Sequence, residues 1–452
     1  MLRARLGAVM AFAGTTLPAF SQSSAPAIDK ADTAWLMVAS VLVLLMTPAL
    51  ALFYGGLVRR RNVLSTMMHS YILMGAIGVA WVLIGFSLAF GASGNGLIGN
   101  FEFAFGNVSM STPYGEQTVP AALFMLFQMM FAILTPALIS GALAERVKFG
   151  GYILFMVLWS VLVYAPVACW VWNADGWLFK LGALDFAGGT VVHLASGVAA
   201  LAACAALGQR HLGAAKPNSV VFTLTGAGLL WVGWIGFNAG SALGVNDVAV
   251  VAFVTTQIAG GAGMLGWLAI EKVKTGKATA VGAASGLVSG LVGITPGAGF
   301  VSPMAAIVIG LLAGSFCYSM VSLKHRFGYD DALDVVAVHG AGGLLGAILT
   351  GVFASAAINP GIAGALEGGR GALIVTQLIA VAAVFAYSGV LSFALMKLVQ
   401  IVGMRASVED EVRGLDSIYH GEEGFDVSPD GEFASGDSTG GDAELVGEAS
   451  VR

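Results

Sequence analysis

TVVHLASG (residues 190–197) and VAVHGAGG (336–343) each place a histidine inside a run that otherwise reads as a membrane-spanning helix. Both fit V-H-x-x-x-G, with His193 and His339 at the second position. An ionisable side chain at membrane depth is costly to keep there, so by default it marks a path for substrate or protons rather than packing. Two of them in corresponding segments point to one conduction site.

Composition sets the class: 57% of residues are apolar, 10% are charged, and the mean hydropathy is +0.86. These values describe an integral membrane protein. The 63 glycines let helices approach closely, as small residues do in lipid. The first residues, MLRARLGAVMAFAGTTLPAF followed by SQSSAPA, have the layout of a signal peptide, with cleavage expected near Ser21 or Ala27. An extra spanning helix is the other reading, but the apolar run falls short of the roughly 20 residues a span needs.

Eleven apolar segments follow, at 34–56, 65–91, 119–142, 149–171, 188–208, 219–240, 248–270, 279–295, 302–323, 335–354 and 371–400. Arg59, Arg60, Arg61, Arg146, Lys148, Arg210, Lys216, Lys272, Lys274, Lys277, Lys324, Arg326, Lys397, Arg405 and Arg413 fall on one side of this pattern. The opposite loops hold Lys180 and Arg370, with Lys30 on the mature N-terminus. By the positive-inside rule the N-terminus lies outside and the C-terminus in the cytoplasm, a parity that eleven spans satisfy.

The last 52 residues carry 13 of the 26 Asp and Glu against three arginines, so this tail is −10 and the remainder +5. Residues beyond about 424 are poor in large apolar groups and are expected to be disordered, whereas VEDEVRGLDSIYHGEEGF (408–425) retains apolar residues and could dock on the cytoplasmic face. Cys169, Cys204 and Cys317 lie in apolar segments without a CxxC spacing, which favours burial over metal or redox work. No phosphate loop, nucleotide fingerprint or nucleic-acid patch is present, so a nucleic-acid partner and ATP-driven pumping by this chain are disfavoured.

A weak internal repeat is visible. The first segment ends in FYGG (53–56) and the sixth in FNAG (237–240), while the fifth holds VHLASG and the tenth VHGAGG. A spacing of five segments gives the halves opposite orientations, as in inverted-repeat transporters whose site lies near the midplane. The eleventh segment falls outside the repeat.

Two facing imidazoles can present both a donor and an acceptor to a small polar molecule. Burial disfavours the charged form, so a neutral, hydrogen-bonded pair is expected. Helix-bridging histidines or metal ligands are the other readings, and no third ligand accompanies either residue. Phe127, Phe131, Trp172, Trp234 and Phe237 lie near the outer ends or middles of spans, where a lone aromatic is most often packing or an interfacial anchor. Aromatic faces can also hold a desolvated cation by about 2 kcal/mol or more, against the tens of kcal/mol nominally needed to bury a bare ion. Aromatics can therefore capture a cation at a vestibule, but it must shed its charge to pass an apolar tube. Asp185, in DFAGGT, could cap the start of the fifth helix or favour a cation at the pore mouth. Asp334, five residues before His339, invites the same reading and is assigned a structural role.

Several stretches closely resemble the ammonium transporters of the Amt/Mep/Rhesus group: DFAGGTVVHLASGVAAL (185–201), ALFYGGLVRRRNVLS (51–65), GALAERVKF (141–149), WVGWIGFNAGSA (231–242) and DVVAVHGAGGLLGAILTG (334–351). The resemblance runs in order from about Asp29 to Phe425. It implies an all-α, eleven-helix protomer, a homotrimer with one pore per subunit, and ammonium as substrate, with no cofactor and no enzymatic step. His193 and His339 look like the family's twin pore histidines, and Phe131 and Phe237 like its stacked phenylalanine gate. Trp172 and Ser241 match its external recruitment site, with Phe127 a further aromatic beside it and Asp185 its supporting aspartate. The implied layout is a signal peptide at 1–27, a transmembrane domain at 28–400, a cytoplasmic regulatory tail at 401–425 and an acidic extension at 426–452, in a bacterial inner membrane.

Some features depart from the pattern. Met129 and Met130 stand beside the gate where smaller residues often occur, and the loop NADGWLFKLGA (173–183) has its own sequence. RGLDSIYHGEEGF (413–425) is similar to the family segment that communicates with PII-type nitrogen regulators. An ammonium sensor would share the pore residues but carry a much longer signalling domain. A Rhesus-like gas channel is the nearest competitor, and Trp172 with Ser241 argues against it. A membrane-embedded metalloenzyme would need further ligands at membrane depth.

Overall fold

Asp29 starts the first long helix by accepting hydrogen bonds from the N–H groups of Ala31 and Asp32, at 2.8 and 2.9 Å. These are donors that a helix start leaves unpaired. In the computed structural model, which describes residues 26–425, this helix, Lys30–Gly55 (α1), runs 26 residues. That is roughly 39 Å of helix at 1.5 Å per residue. Residues 1–25 of the expected signal peptide and the acidic extension at 426–452 lie outside the described residues.

Ten helices follow in order: Arg60–Phe90 (α2), Ala121–Leu143 (α3), Phe149–Lys180 (α4, with a turn at Asn173), Gly189–Leu207 (α5), Val220–Gly240 (α6), Asp247–Thr275 (α7), Ala280–Ile294 (α8), Pro303–Lys324 (α9), Val336–Phe353 (α10) and Gly369–Val402 (α11). All except α8 are long and apolar enough to cross a membrane, which with α1 makes ten among the described residues. The eighth expected segment is this shorter 15-residue helix, which turns at Thr295–Phe300 before α9 begins. Val408–Arg413 (α12) and Leu415–His420 (α13) complete an all-α polytopic membrane protein.

The first helices of the two halves, α1 and α6, pack along one row of glycines. A Cβ on Gly226, Gly233 or Gly240 would lie 2.4 Å from the Phe53 nitrogen, 2.3 Å from Met46 Cγ or 2.6 Å from Ala39 Cβ. The seven-residue spacing keeps that row on one face.

The histidine helices α5 and α10 are built alike. Eight residues before His193, the Asp185 carboxylate accepts from the N–H groups of Gly188, Gly189, Thr190 and Val191. Eight residues before His339, Asp331 accepts from Val336 N–H at 2.7 Å. Each helix then opens with a π turn, Gly189–Leu194 and Val336–Ala341, that contains its histidine. Such turns are frequent at functional sites. Four residues after each histidine stands a glycine. A Cβ on Gly197 would lie 2.1 Å from the Gly340 nitrogen, and one on Gly343 would lie 2.6 Å from the Gly189 carbonyl oxygen. V-H-x-x-x-G is therefore a packing rule, in which each glycine clears backbone space for the other helix one turn beyond its own histidine.

Asp334 does not cap α10. Its backbone takes a φ of 63° and its carboxylate pairs with Lys324, which leaves the helix start to Asp331 three residues earlier. Burial, and then the Asp334 charge, raise the Asp331 carboxyl above the ordinary range.

At the basic end, buried ion pairs tie the loops together. Glu145 meets Arg59 at 2.5 Å and Arg210 at 3.0 Å, while Asp330 meets Arg210 at 2.8 Å and Arg146 at 3.1 Å. Burial opposes the Asp330 charge, but its Arg210 hydrogen bonds hold the carboxyl down at about 2. The near part of the tail docks on this network, as its apolar residues lead one to expect. Asp416 accepts from Leu64 and Ser65 N–H at 3.0 and 2.7 Å, capping α2, and Glu411 accepts from His211 N–H at 2.9 Å.

We expect Gly197→Ala to lower the unfolding temperature of the detergent-solubilised protein by several degrees, since overpacking against backbone costs about 1–3 kcal/mol. Gly75→Ala, where no atom lies within 4 Å of the new methyl, serves as the control. Equal melting of the two variants would contradict the packing rule.

Candidate functional site

His193 and His339 meet in the centre of the bundle with their Nδ1 atoms 3.2 Å apart, ring centroids 5.3 Å apart and planes inclined by 19°. Both are buried, at 0% and 3% exposure. One Nδ1 donates and the other accepts. With both rings neutral, the donor ring keeps an accepting Nε2 and the acceptor ring a donating Nε2–H. His193 Nε2 is buried without a protein partner among the described residues. The pair can therefore offer one donor and one acceptor to a small polar guest.

Aromatic side chains fix this geometry. Trp234 stacks on His193 at 5.3 Å and 19°, and its Nε1 donates to Thr295 Oγ1 at 2.9 Å. Phe237 lies 6.0 Å from the same imidazole and 4.3 Å from Phe131. Phe131 and Phe237 thus form a tilted pair, 2% and 0% exposed, beside the histidines.

A cavity of about 140 Å³ lies beyond the phenylalanine pair, toward the end opposite the basic face, and its walls include Phe131, Trp172, Ser241, Tyr114, Gln128 and Phe186. Trp172 meets Phe131 edge to face at 5.8 Å, and its Nε1 donates to the Asp185 carbonyl oxygen at 2.9 Å. Ser241 Oγ donates to the Phe237 carbonyl oxygen at 2.8 Å, which leaves its own lone pairs free to accept. On the other side of the histidines a second cavity, about 170 Å³, is lined by Tyr54, Leu57, Val288, Asp334, Val338 and His339. The path thus reads cavity, phenylalanine pair, His193, His339, cavity.

Not every expected residue lies on this path. Phe127 is fully buried behind the phenylalanine pair, 5.0 Å from Phe131 and against Gly240, and does not line the cavity. Asp185 is 7% exposed and receives four backbone N–H groups and the Thr190 hydroxyl, so its carboxylate is committed to the start of α5. Burial pushes that carboxyl up, against the downward pull of these hydrogen bonds. Met129 and Met130 do not line the cavity, and Met129 faces Gly78 of α2. Gln128, Tyr114 and Phe186 line it without having been singled out. Gln128 carried a usable signal, as an amide inside the apolar run FQMMF, and its Oε1 is buried with no partner among the described residues.

The sequence profile described as the Ammonium Transporter Family matches residues 34–425. A protein named ammonium transporter from Bacillus subtilis is 48% identical over 401 residues, covering 88% of this chain and 99% of its own. The crystal structure of Saccharomyces cerevisiae Mep2 superposes with a TM-score of 0.78 at 37% identity, over 84% of this chain and 91% of that one. A structure described as a sensor Amt protein gives a TM-score of 0.81 at 28% identity, over 86% of this chain and 98% of its own.

Asp185→Ala should lower the melting temperature by more than the loss of an ordinary cap, about 1 kcal/mol, because buried amides left unpaired cost about 1–3 kcal/mol each. Asp185→Asn, which keeps one accepting oxygen, should fall between. A wild-type melting curve for the alanine variant would contradict the capping role.

Proposed function

The chain belongs to the ammonium transporter family, whose members are membrane transporters and not enzymes, and on that premise we propose that it recruits ammonium ion, deprotonates it and conducts ammonia past His193 and His339. The observation that carries this reading is the alignment of two cavities on a single histidine pair behind a phenylalanine gate. The aromatic faces of Trp172 and Phe131, with the accepting oxygens of Ser241 and Gln128, suit a small cation that donates hydrogen bonds. Beyond them Phe131 and Phe237 offer no polar partner, so the ion passes its proton to water at the vestibule and only ammonia goes on. Neutral ammonia then meets the two Nε2 atoms, one accepting its N–H and one donating to its lone pair.

This reading places the aromatic cavity on the periplasmic side of a bacterial inner membrane and the basic end, with the C-terminal tail, in the cytoplasm, in keeping with the distribution of positive charge. We further propose a homotrimer with one pore per subunit. Contact of the docked tail with a PII-type regulator fits a tail anchored beside the inner cavity, and failure of such a protein to co-purify after nitrogen shock would count against it.

Flux and current evoked by ammonium or methylammonium in proteoliposomes test the assignment. His193→Ala and His339→Ala each remove a hydrogen-bonding partner and should slow flux roughly tenfold or more. Trp172→Leu should weaken apparent affinity roughly tenfold while leaving the maximal rate largely intact, as loss of one cation–π contact implies. Unchanged flux and current in both histidine variants would refute the pore assignment.

A further inference from the structure

The loop between α2 and α3, residues 91–120, turns large apolar side chains outward. Phe101 and Phe105 are 67% and 83% exposed, while Phe103 between them packs inward, 5.3 Å from the Phe86 ring and 6.0 Å from that of Tyr114. Phe105 has φ 57° and ψ 30°, a left-handed backbone that is costly for a bulky side chain. In water that strain would be joined by the cost of a hydrated aromatic surface.

The position of the loop tip along α2 shows what it faces. A Cβ on Gly106 would stand 3.2 Å from Val82 Cγ1 of α2. Val82 comes eight residues before the end of that helix at Phe90, so the loop folds back along it by roughly 12 Å. At 31 residues α2 is roughly 46 Å long. A hydrocarbon layer of about 30 Å leaves about 8 Å of such a helix beyond each boundary. The tip therefore reaches the hydrocarbon boundary, next in α2 to Leu83, which is itself 45% exposed.

The polar groups of the tip suit that depth. Ala104 N–H donates to the Phe101 carbonyl oxygen at 3.1 Å, Val108 N–H to that of Gly106 at 2.7 Å, and Asn107 Nδ2 to that of Glu102 at 2.8 Å. Glu102 is the one charged residue in the stretch 96–114. Its carboxylate turns back to accept from Ala92 N–H at 2.6 Å, just beyond the end of α2. Irregular backbone does not face lipid within the hydrocarbon core, whereas the interfacial zone at its edge is where aromatic rings anchor.

We propose that Phe101 and Phe105 form a membrane-interface anchor, which seats this loop at the acyl–headgroup boundary of the leaflet opposite the basic end. The same loop carries Tyr114, a wall of the aromatic cavity. Phe103 links the seated tip to that wall by a single ring contact.

Spin labels in the full-length protein in lipid nanodiscs test this without any transport measurement. Cys169, Cys204 and Cys317 are buried, so single nitroxides can be placed at Phe101→Cys, which keeps Phe105, and at Phe105→Cys, which keeps Phe101. Power saturation compares collisions with oxygen, which partitions into lipid, and with a nickel chelate, which stays in water. Leu83→Cys supplies the lipid reference and Lys180→Cys, whose side chain is 60% exposed, the water reference. Both loop labels should favour oxygen over the chelate, with values nearer to those of the Leu83 label than to those of the Lys180 label. A value matching the Lys180 label at either position would overturn the proposal. So would shielding of the loop labels from both reagents, the result expected if a second copy of this chain or another protein covers the tip.

Discussion

The site depends on how closely α5 and α10 can approach. Gly197 lies against the backbone of Gly340, and Gly343 against that of Gly189, and only at that distance do two imidazoles 146 positions apart reach hydrogen-bonding range. Each glycine serves the opposite histidine. The π turns and the aspartate caps extend the same correspondence, so position −8, the histidine and position +4 form one unit used twice.

The remainder of the bundle holds that contact in place. Trp234 is anchored to Thr295 and stacks on His193, while Phe237 reaches from the same helix to Phe131. Because α6 is packed tightly on α1 through its glycine row, these aromatic walls have little room to shift. At the basic end the Glu145 and Asp330 pairs join four loops beneath the bundle, and the tail closes over the start of α2 through Asp416.

Much of this was legible in the sequence because ionisable and polar residues stand out against an apolar background. The two histidines, the fifth-to-tenth-segment correspondence and the aspartate at the start of α5 follow from residue type and order, whereas the Phe131 and Phe237 contact came from the family resemblance alone. Direction was harder to read. A helix that is apolar all round gives no periodic clue to which face a side chain takes, so Phe127 was expected beside the recruitment cavity and instead backs Phe131, while Gln128 and Phe186 went unremarked. Asp334, five residues before His339, invites the reading of a cap for α10, but its left-handed backbone turns it toward Lys324 and leaves the Val336 N–H to Asp331. The eight-residue spacing shared with Asp185 and His193 was the signal that would have found it.

The central claim is that His193 and His339 share one proton between their Nδ1 atoms and turn their Nε2 atoms to the guest. Solid-state ¹⁵N resonance of histidine-labelled protein in lipid, assigned by difference from His193→Ala and His339→Ala, measures this directly. The account requires one ring protonated at Nδ1 and the other at Nε2, with both Nε2 resonances moving when ammonium is added. Two rings in the same tautomer, or Nε2 signals indifferent to ammonium, would contradict it.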